Sequence, residues 1–329
     1  MKHHLLSGTV AALALAVVAM PAMGQSIHTG SAAGAYFNNF GPAVQNVIGA
    51  SPSREVRDAN ILPGGSPLFF EHTLANSAGT VANMAAVRAN PLDLGLGQLD
   101  LVAQNSDGLR VVSTGAVECL FVVSNNETVV SANQLSPRTP FGLPPEASGS
   151  AATFMALSPF SEMRNVRHFD SAMAAVEAVK NGDVVAAGFV QLPDTTNDLF
   201  EAASDLYFAG VVNRQMLRTQ VDGVDVYQGT PDVMVSPGSG WQVVGFGRSA
   251  QTVTTSCTPV VIFGTDPALL EGDERLDQEL LFETLEAAAD AGLLIPNTSD
   301  WRSMFASLAE RREQMQDSVM EFIDEHVHN

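Results

Sequence analysis

Three stretches of small residues, each set between a strand-like run and a helix-like run, constrain this chain more than any other feature. The first is Ile27-His28-Thr29-Gly30-Ser31-Ala32-Ala33-Gly34-Ala35-Tyr36-Phe37, continuing as a helical pattern to about Ile48. The second is Ser77-Ala78-Gly79-Thr80 and the third is Ser148-Gly149-Ser150-Ala151-Ala152-Thr153. Small side chains let backbone come close to a ligand, and a helix start aims free N–H groups outward. Each stretch is therefore a candidate backbone cradle for an anion. One such turn is ordinary packing; three in one chain point to a shared site.

The chain between them alternates. Residues 69–74 read as a strand, and the helix after Thr80 carries Val81, Met84 and Val87 at helical spacing before Pro91. Residues 92–96 form a short strand that ends at Gln98. Strand, turn, helix, strand is the order of a parallel sheet. Residues 109–113 and 117–124 read as two more strands, and the polar, Pro-rich stretch 125–145 leads into a second unit. There the theme returns: the third turn, a helix over 171–181 with Asp170 as its N-cap, and an apolar strand over 183–189 ending at Gln191. Residues 252–263 are β-rich. Leu276, Leu280 and Leu285 line one late helix, and the apolar positions from Trp301 to Phe322 recur at helical steps.

The N-terminus reads as an export signal. Lys2, His3 and His4 precede an apolar run over 5–20, and small residues stand at the −3 and −1 positions before Gln25, so cleavage is expected after Gly24. The apolar run is too short for a convincing membrane anchor, and no other stretch is long enough to span a bilayer. With 16 Lys and Arg against 36 Asp and Glu, the formal charge is −20, a surface that repels nucleic acid and anionic membranes. An exported chain is also one in which a disulfide persists, and there are two cysteines, Cys119 and Cys257.

No catalytic constellation stands out. His28 has no acidic partner or nucleophile near it in sequence, and Ser148-Gly149-Ser150 lacks the Gly-x-Ser-x-Gly elbow of strand–turn–helix hydrolases. No Lys follows Gly34 as a phosphate loop requires, and His326 and His328 lack metal-ligand spacing. No cofactor and no metal are expected. Two α/β units presenting small-residue turns to one ligand are the parts of a two-lobed solute receptor.

At this point a resemblance is visible. The stretch from Thr29 to Phe37 resembles the N-terminal signature of the TAXI solute receptors of TRAP-type transporters, commonly Thr-Gly-Ser-x-Gly-Gly-Thr-Tyr-Tyr. The stretch from Ser77 to Asn83 is similar to the family's second turn and helix, and the one from Asp93 to Asp100 to its strand ending in Gln-x-Asp. The third turn resembles the Gly-Ser-Gly-Thr turn of the second lobe, and residues 182–193 its following strand and loop. Ala33 and Ala35 stand where the family has Gly and Thr, Phe37 where it has Tyr, and a His-Pro-Gly-Ala pattern expected in the tail is missing.

The resemblance implies an α/β fold of the type II periplasmic binding protein kind, two α/β lobes joined by two hinge strands. The expected parts are a signal peptide over 1–24, lobe 1 over 25–117, a hinge strand over 118–124, lobe 2 over 125–251, a returning hinge strand over 252–263, and lobe 1 helices over 264–329. It implies a periplasmic receptor that captures a small carboxylate, an organic acid or a glutamate-like amino acid, for TRAP transporter membrane subunits. A receptor on the same fold feeding a membrane sensor is the alternative, and an exported α/β enzyme a more distant one. Expected ligand-binding residues are Gly30, Ser31, Ala32, Ala33, Tyr36, Ser77, Gly79, Thr80, Gln98, Ser148, Gly149, Ser150, Thr153 and Gln191. Arg110, Arg214 and Arg248 are candidates to pair with a carboxylate. In the two-lobe reading the runs holding Cys119 and Cys257 are neighbouring hinge strands, so a disulfide between them is expected.

Overall fold

The structure, a computed structural model, describes residues 25–32, 34–50, 72–221, 224–236 and 250–296. The expected signal peptide, Ala33, Arg248 and the apolar stripe from Trp301 onward lie outside the described residues. The elements that place the site are β1 (Ser26–His28), a wide helical turn (Tyr36–Phe40) running into α1 (Gly41–Ala50), β2 (Thr73–Ala75), α2 (Thr80–Ala89), β3 (Leu94–Gln98), α3 (Leu99–Ala103) and β4 (Leu109–Ser124). Then follow β5 (Phe141–Leu143), α4 (Gly149–Ala156), β6 (Val166–His168), α5 (Ala172–Lys180), β7 (Ala186–Gln191), α6 (Asp198–Ala202) and β8 (Tyr207–Gly210). The described residues close with β9 (Gln220–Val221), β10 (Val224–Asp225), β11 (Gln228–Ser236), β12 (Gln251–Thr265) and α7 (Gly272–Asp290).

One mixed sheet runs through the molecule in the order β2-β1-β3-β12-β4-β7-β5-β6, with β11 on β12 and β8 on β4. Its two flanks are parallel, β2-β1-β3 on one side and β7-β5-β6 on the other. The two long strands β4 and β12 run antiparallel through the middle and belong to both flanks. Each flank is a βαβ unit, which the recurring strand–turn–helix order predicts. Every residue of β3 is buried, as a parallel strand covered on both faces requires. Its glycines give room for what lies on it: a Cβ at Gly95 would stand 2.4 Å from the Phe263 ring.

The helices follow their apolar faces. In α2, Thr80, Asn83, Met84 and Val87 are buried, the i, i+3, i+4, i+7 stripe. The Asn83 amide donates to the Thr29 and Leu96 carbonyls and so ties α2 to the end of β1 and the middle of β3. Ser171, not Asp170, caps α5, its hydroxyl accepting from the Ala174 N–H at 3.0 Å. In α7 the buried stripe is Leu281, Phe282, Leu285 and Ala288, while Leu276 is exposed on the opposite side. One apolar core joins α1 and α7 to the first flank; two more lie on the faces of the second.

Two separate strands were expected over 109–113 and 117–124; the structure makes them one. A bulge lets β4 continue. Gly115 adopts φ 83°, a conformation that favours glycine, and Ser113 and Thr114 hydroxyls accept from the Gly115 and Ala116 N–H groups. Thr114 also donates to the Val260 carbonyl at 2.9 Å, holding the bulge to β12. Beyond it Cys119 and Cys257 are direct cross-strand partners, and they form the expected disulfide, with Cα atoms 3.9 Å apart and both residues fully buried.

Candidate functional site

The starts of α2 and α4 meet where the two flanks of the sheet face each other. Gly79 precedes α2 with φ 125°, and a Cβ there would stand 3.0 Å from the Gly149 nitrogen at the start of α4. A Cβ on Gly149 would in turn come within 2.5 Å of the Gln98 Oε1. Two of the three small-residue turns are thus in backbone contact, and their smallness is what permits it.

Beside this contact lies a buried polar cluster drawn from both flanks. The Tyr36 hydroxyl donates to Glu118 Oε2 at 2.7 Å, and Gln98 bonds the same carboxyl. Asp100, at the start of α3, receives the Thr153 hydroxyl at 2.7 Å and the Tyr227 hydroxyl at 2.9 Å, both on Oδ2. Its own N–H donates to Thr258 of β12 at 3.2 Å. Asp100 comes from the first flank, Thr153 from α4 and Tyr227 from the approach to β11, so one carboxyl fastens the two flanks. Gln98 Oε1 and Asp100 Oδ1 are buried with no hydrogen-bond partner.

Burial sets the electrostatics. It pushes the Glu118 carboxyl up to about 7, with nearby Asp100 adding to the rise and the Tyr36 and Gln98 hydrogen bonds opposing it. Burial also raises Asp100, against the pull of the Thr153 and Tyr227 hydrogen bonds. The Tyr36 and Tyr227 phenols are raised by burial first and by their acidic neighbours second. Both phenols therefore stay protonated and act as donors.

The structure brings together some expected site residues and gives others local work. Tyr36, Gly79, Thr80, Gln98, Gly149 and Thr153 converge; Thr80 contributes by accepting from the Gln98 N–H at 3.2 Å. Ser77 and Ser148 spend their hydroxyls on the turns themselves, accepting from the Gly79 and Ala151 N–H groups. Ser150 exchanges hydrogen bonds with the Val190 backbone of β7, at 3.0 and 3.3 Å. Gly30 is buried, and its carbonyl accepts from the Ser77 N–H at 2.9 Å. Ser31 and Ala32 are exposed, Ser31 closing its turn through the Gly34 N–H. Gln191 ends β7 opposite Cys119.

Arg110 does not join them. It pairs with Glu286 of α7 at 2.6 Å and lies over the Phe282 ring, because β4 carries it to the end of the sheet away from Glu118. His28, without an acidic neighbour in sequence, has one in space: Asp93 Oδ2 at 2.8 Å, whose other oxygen accepts from the Ser26 N–H. That pair joins β1 to the turn before β3. Among the described residues no three His, Cys, Asp or Glu side chains group as a metal site.

Three residues of the polar cluster have no assigned role in the sequence. Asp100 stood inside a quoted motif without a role. Glu118 is the one charge in the apolar run 116–123, a legible signal for a buried polar contact. Tyr227 carries no local signal.

No protein-family model and no curated relative matches the chain. Among solved structures, the chain is similar to a substrate-binding protein of an amino acid ABC transporter, with 10% identity, TM-score 0.45, and 82% of this chain covering 96% of that one. It is similar to the GluR0 ligand-binding core from Nostoc punctiforme in complex with L-glutamate, with 12% identity, TM-score 0.45, and coverage of 82% and 95%. An arginine transport-system periplasmic binding protein from Legionella pneumophila is a third, with 10% identity, TM-score 0.41, and coverage of 88% and 99%. Among the described residues no helix is long and apolar enough to cross a membrane.

Proposed function

We propose that this chain is a periplasmic solute-binding receptor that closes two α/β lobes over a small amino-acid-like carboxylate and presents it to the membrane subunits of a TRAP-type transporter. The lobes are residues 25–117 with 264–329, and residues 125–251, swinging on 118–124 and 252–263. The observation that carries the reading is Asp100, held from the opposite flank by Thr153 and Tyr227 while its Oδ1 and the neighbouring Gln98 Oε1 lack donors. Two buried acceptors without partners call for a ligand that brings N–H groups, since each unmet acceptor costs roughly 1–3 kcal/mol. An ammonium meets Gln98 and Glu118, and the turns at Gly79 and Gly149 offer backbone N–H groups to a carboxylate. The TRAP assignment is supported by the ordered set of motifs from Thr29 to residue 193.

A thermal-shift screen of amino acids, organic acids and uncharged sugars tests this. A ligand at a hundred times its Kd adds roughly 2.7 kcal/mol, a rise of about 5 °C for a chain of this size. A zwitterionic amino acid giving the largest rise is expected. A sugar preferred over every amino and organic acid would overturn the reading.

A further inference from the structure

Glu118 and Asp100 are two buried acids that no base neutralises. Glu118 is 7% exposed and Asp100 2%. What faces Glu118 is neutral or acidic: the Tyr36 phenol from the wide turn, the Gln98 amide from β3 and the Asp100 carboxyl from α3. Across the sheet, β12 sets Thr258 opposite Glu118, and β7 sets Gln191 opposite the next residue, Cys119. Asp100 is met by two hydroxyls, Thr153 from α4 and Tyr227 from the approach to β11. Cations on neighbouring elements are spent elsewhere. Arg110 of β4 pairs with Glu286 of α7, and Lys180 of α5 pairs with Glu177 of its own helix. Among the described residues no Lys, Arg or His pairs with either carboxyl.

Two carboxylates held near each other and out of water do not both ionise without a cation. The pair therefore keeps a proton in the free protein. Burial, with Asp100 adding to it, holds the Glu118 carboxyl at about 7, so the proton is bound below neutral pH and given up readily near it. A ligand ammonium supplies the missing cation, and with it in place the proton is no longer held.

We infer that the solute enters by exchange: its ammonium displaces the proton that Glu118 and Asp100 hold in the free protein, and that proton leaves to solvent. The exchange rests on the receptor reading and describes how the same site is regulated. One cation leaves as another arrives, so the buried acids are never both ionised alone. Capture strengthens as pH rises to neutral, and release is favoured as pH falls. Below about 7 the affinity drops about tenfold for each pH unit; above it the affinity is flat.

The probe is a mixture of the common amino acids, added to the full chain in weak buffer with a pH indicator. A mixture of propionate, succinate and glutarate, which carry no ammonium, is the control. Melting temperature is read on the same samples. The amino acids are expected to raise it at both pH 6 and pH 8, and to release about one proton per chain at pH 6 and almost none at pH 8. The control acids are expected to release none. Glu118→Gln is expected to abolish the release. Asp100→Asn, which takes away the like charge, is expected to move the release to lower pH. A rise in melting temperature at pH 6 without proton release, or a release that Glu118→Gln leaves intact, would overturn the exchange and leave the receptor reading standing. No rise with the amino acids at either pH would overturn both.

Discussion

Gly79 and Gly149 touch backbone to backbone across the two flanks, with 3.0 Å between the place of a Gly79 Cβ and the Gly149 nitrogen. Gly79→Ala therefore meets two penalties, its φ of 125° and the blocked approach. We expect it to cost about 1–3 kcal/mol of stability in urea unfolding and to weaken the solute. Unchanged stability and affinity would mean that α2 and α4 do not need this contact.

The pH dependence of stability has a sign that Glu118 fixes. Its folded-state value is raised to about 7 from 4.5, so between those pH values the folded chain holds a proton that the unfolded chain has lost. Stability then falls as pH rises through this window, and levels off above about 7, by up to about 3 kcal/mol from this group. Raised Asp100 acts in the same direction. Glu118→Gln should remove the Glu118 part of the slope and be the more stable protein at pH 8. Parallel urea curves at pH 5, 6, 7 and 8 for both proteins provide the comparison; identical slopes would refute the assignment.

Tyr227→Phe deletes one of the two side-chain donors to Asp100 Oδ2 without changing the ring. A hydrogen bond to a charged group is worth roughly 1.5–3 kcal/mol, and a loss in that range is expected on thermal or chemical unfolding. Thr153→Val should behave alike, and the double variant should be non-additive, because both groups serve one oxygen. Strict additivity would show that they act independently.

Replacing both cysteines by Ser should cost roughly 4–5 kcal/mol at most, given a bond that spans 138 residues of sequence. Intact mass after alkylation without reductant should show no modified thiol in the native protein. Two alkylated cysteines would contradict the buried bond.

The sequence announced the βαβ units because their evidence is local: small-residue turns and helical stripes lie within a few residues of the elements they define. Tyr36 and Gln98 were expected through the resemblance, because each sits inside one of its short motifs. The polar cluster was not, because its bonds span large separations: Tyr36 to Glu118 crosses 82 residues and Asp100 to Tyr227 crosses 127. Local pattern has no access to such pairings. The serines of the turns looked like ligand groups, but the Ser77 and Ser148 hydroxyls satisfy backbone groups that their own turns expose, and the Ser150 hydroxyl is taken by the Val190 backbone of β7. The continuous β4 was hidden by Gly115, which reads as a break and is a bulge.

The bond between Cys119 and Cys257 gives the chain a mechanical bypass. Tension applied between β1 and α7 passes from β4 to β12 through the two sulfurs, so the intervening chain, second flank included, bears no load. A pulling experiment on the oxidised protein would record the rupture of the first flank alone. Reduction would release an added contour length of roughly 450–500 Å, the extended reach of a segment that spans 138 positions. A chain closed this way keeps its second flank folded even when the rest is pulled open.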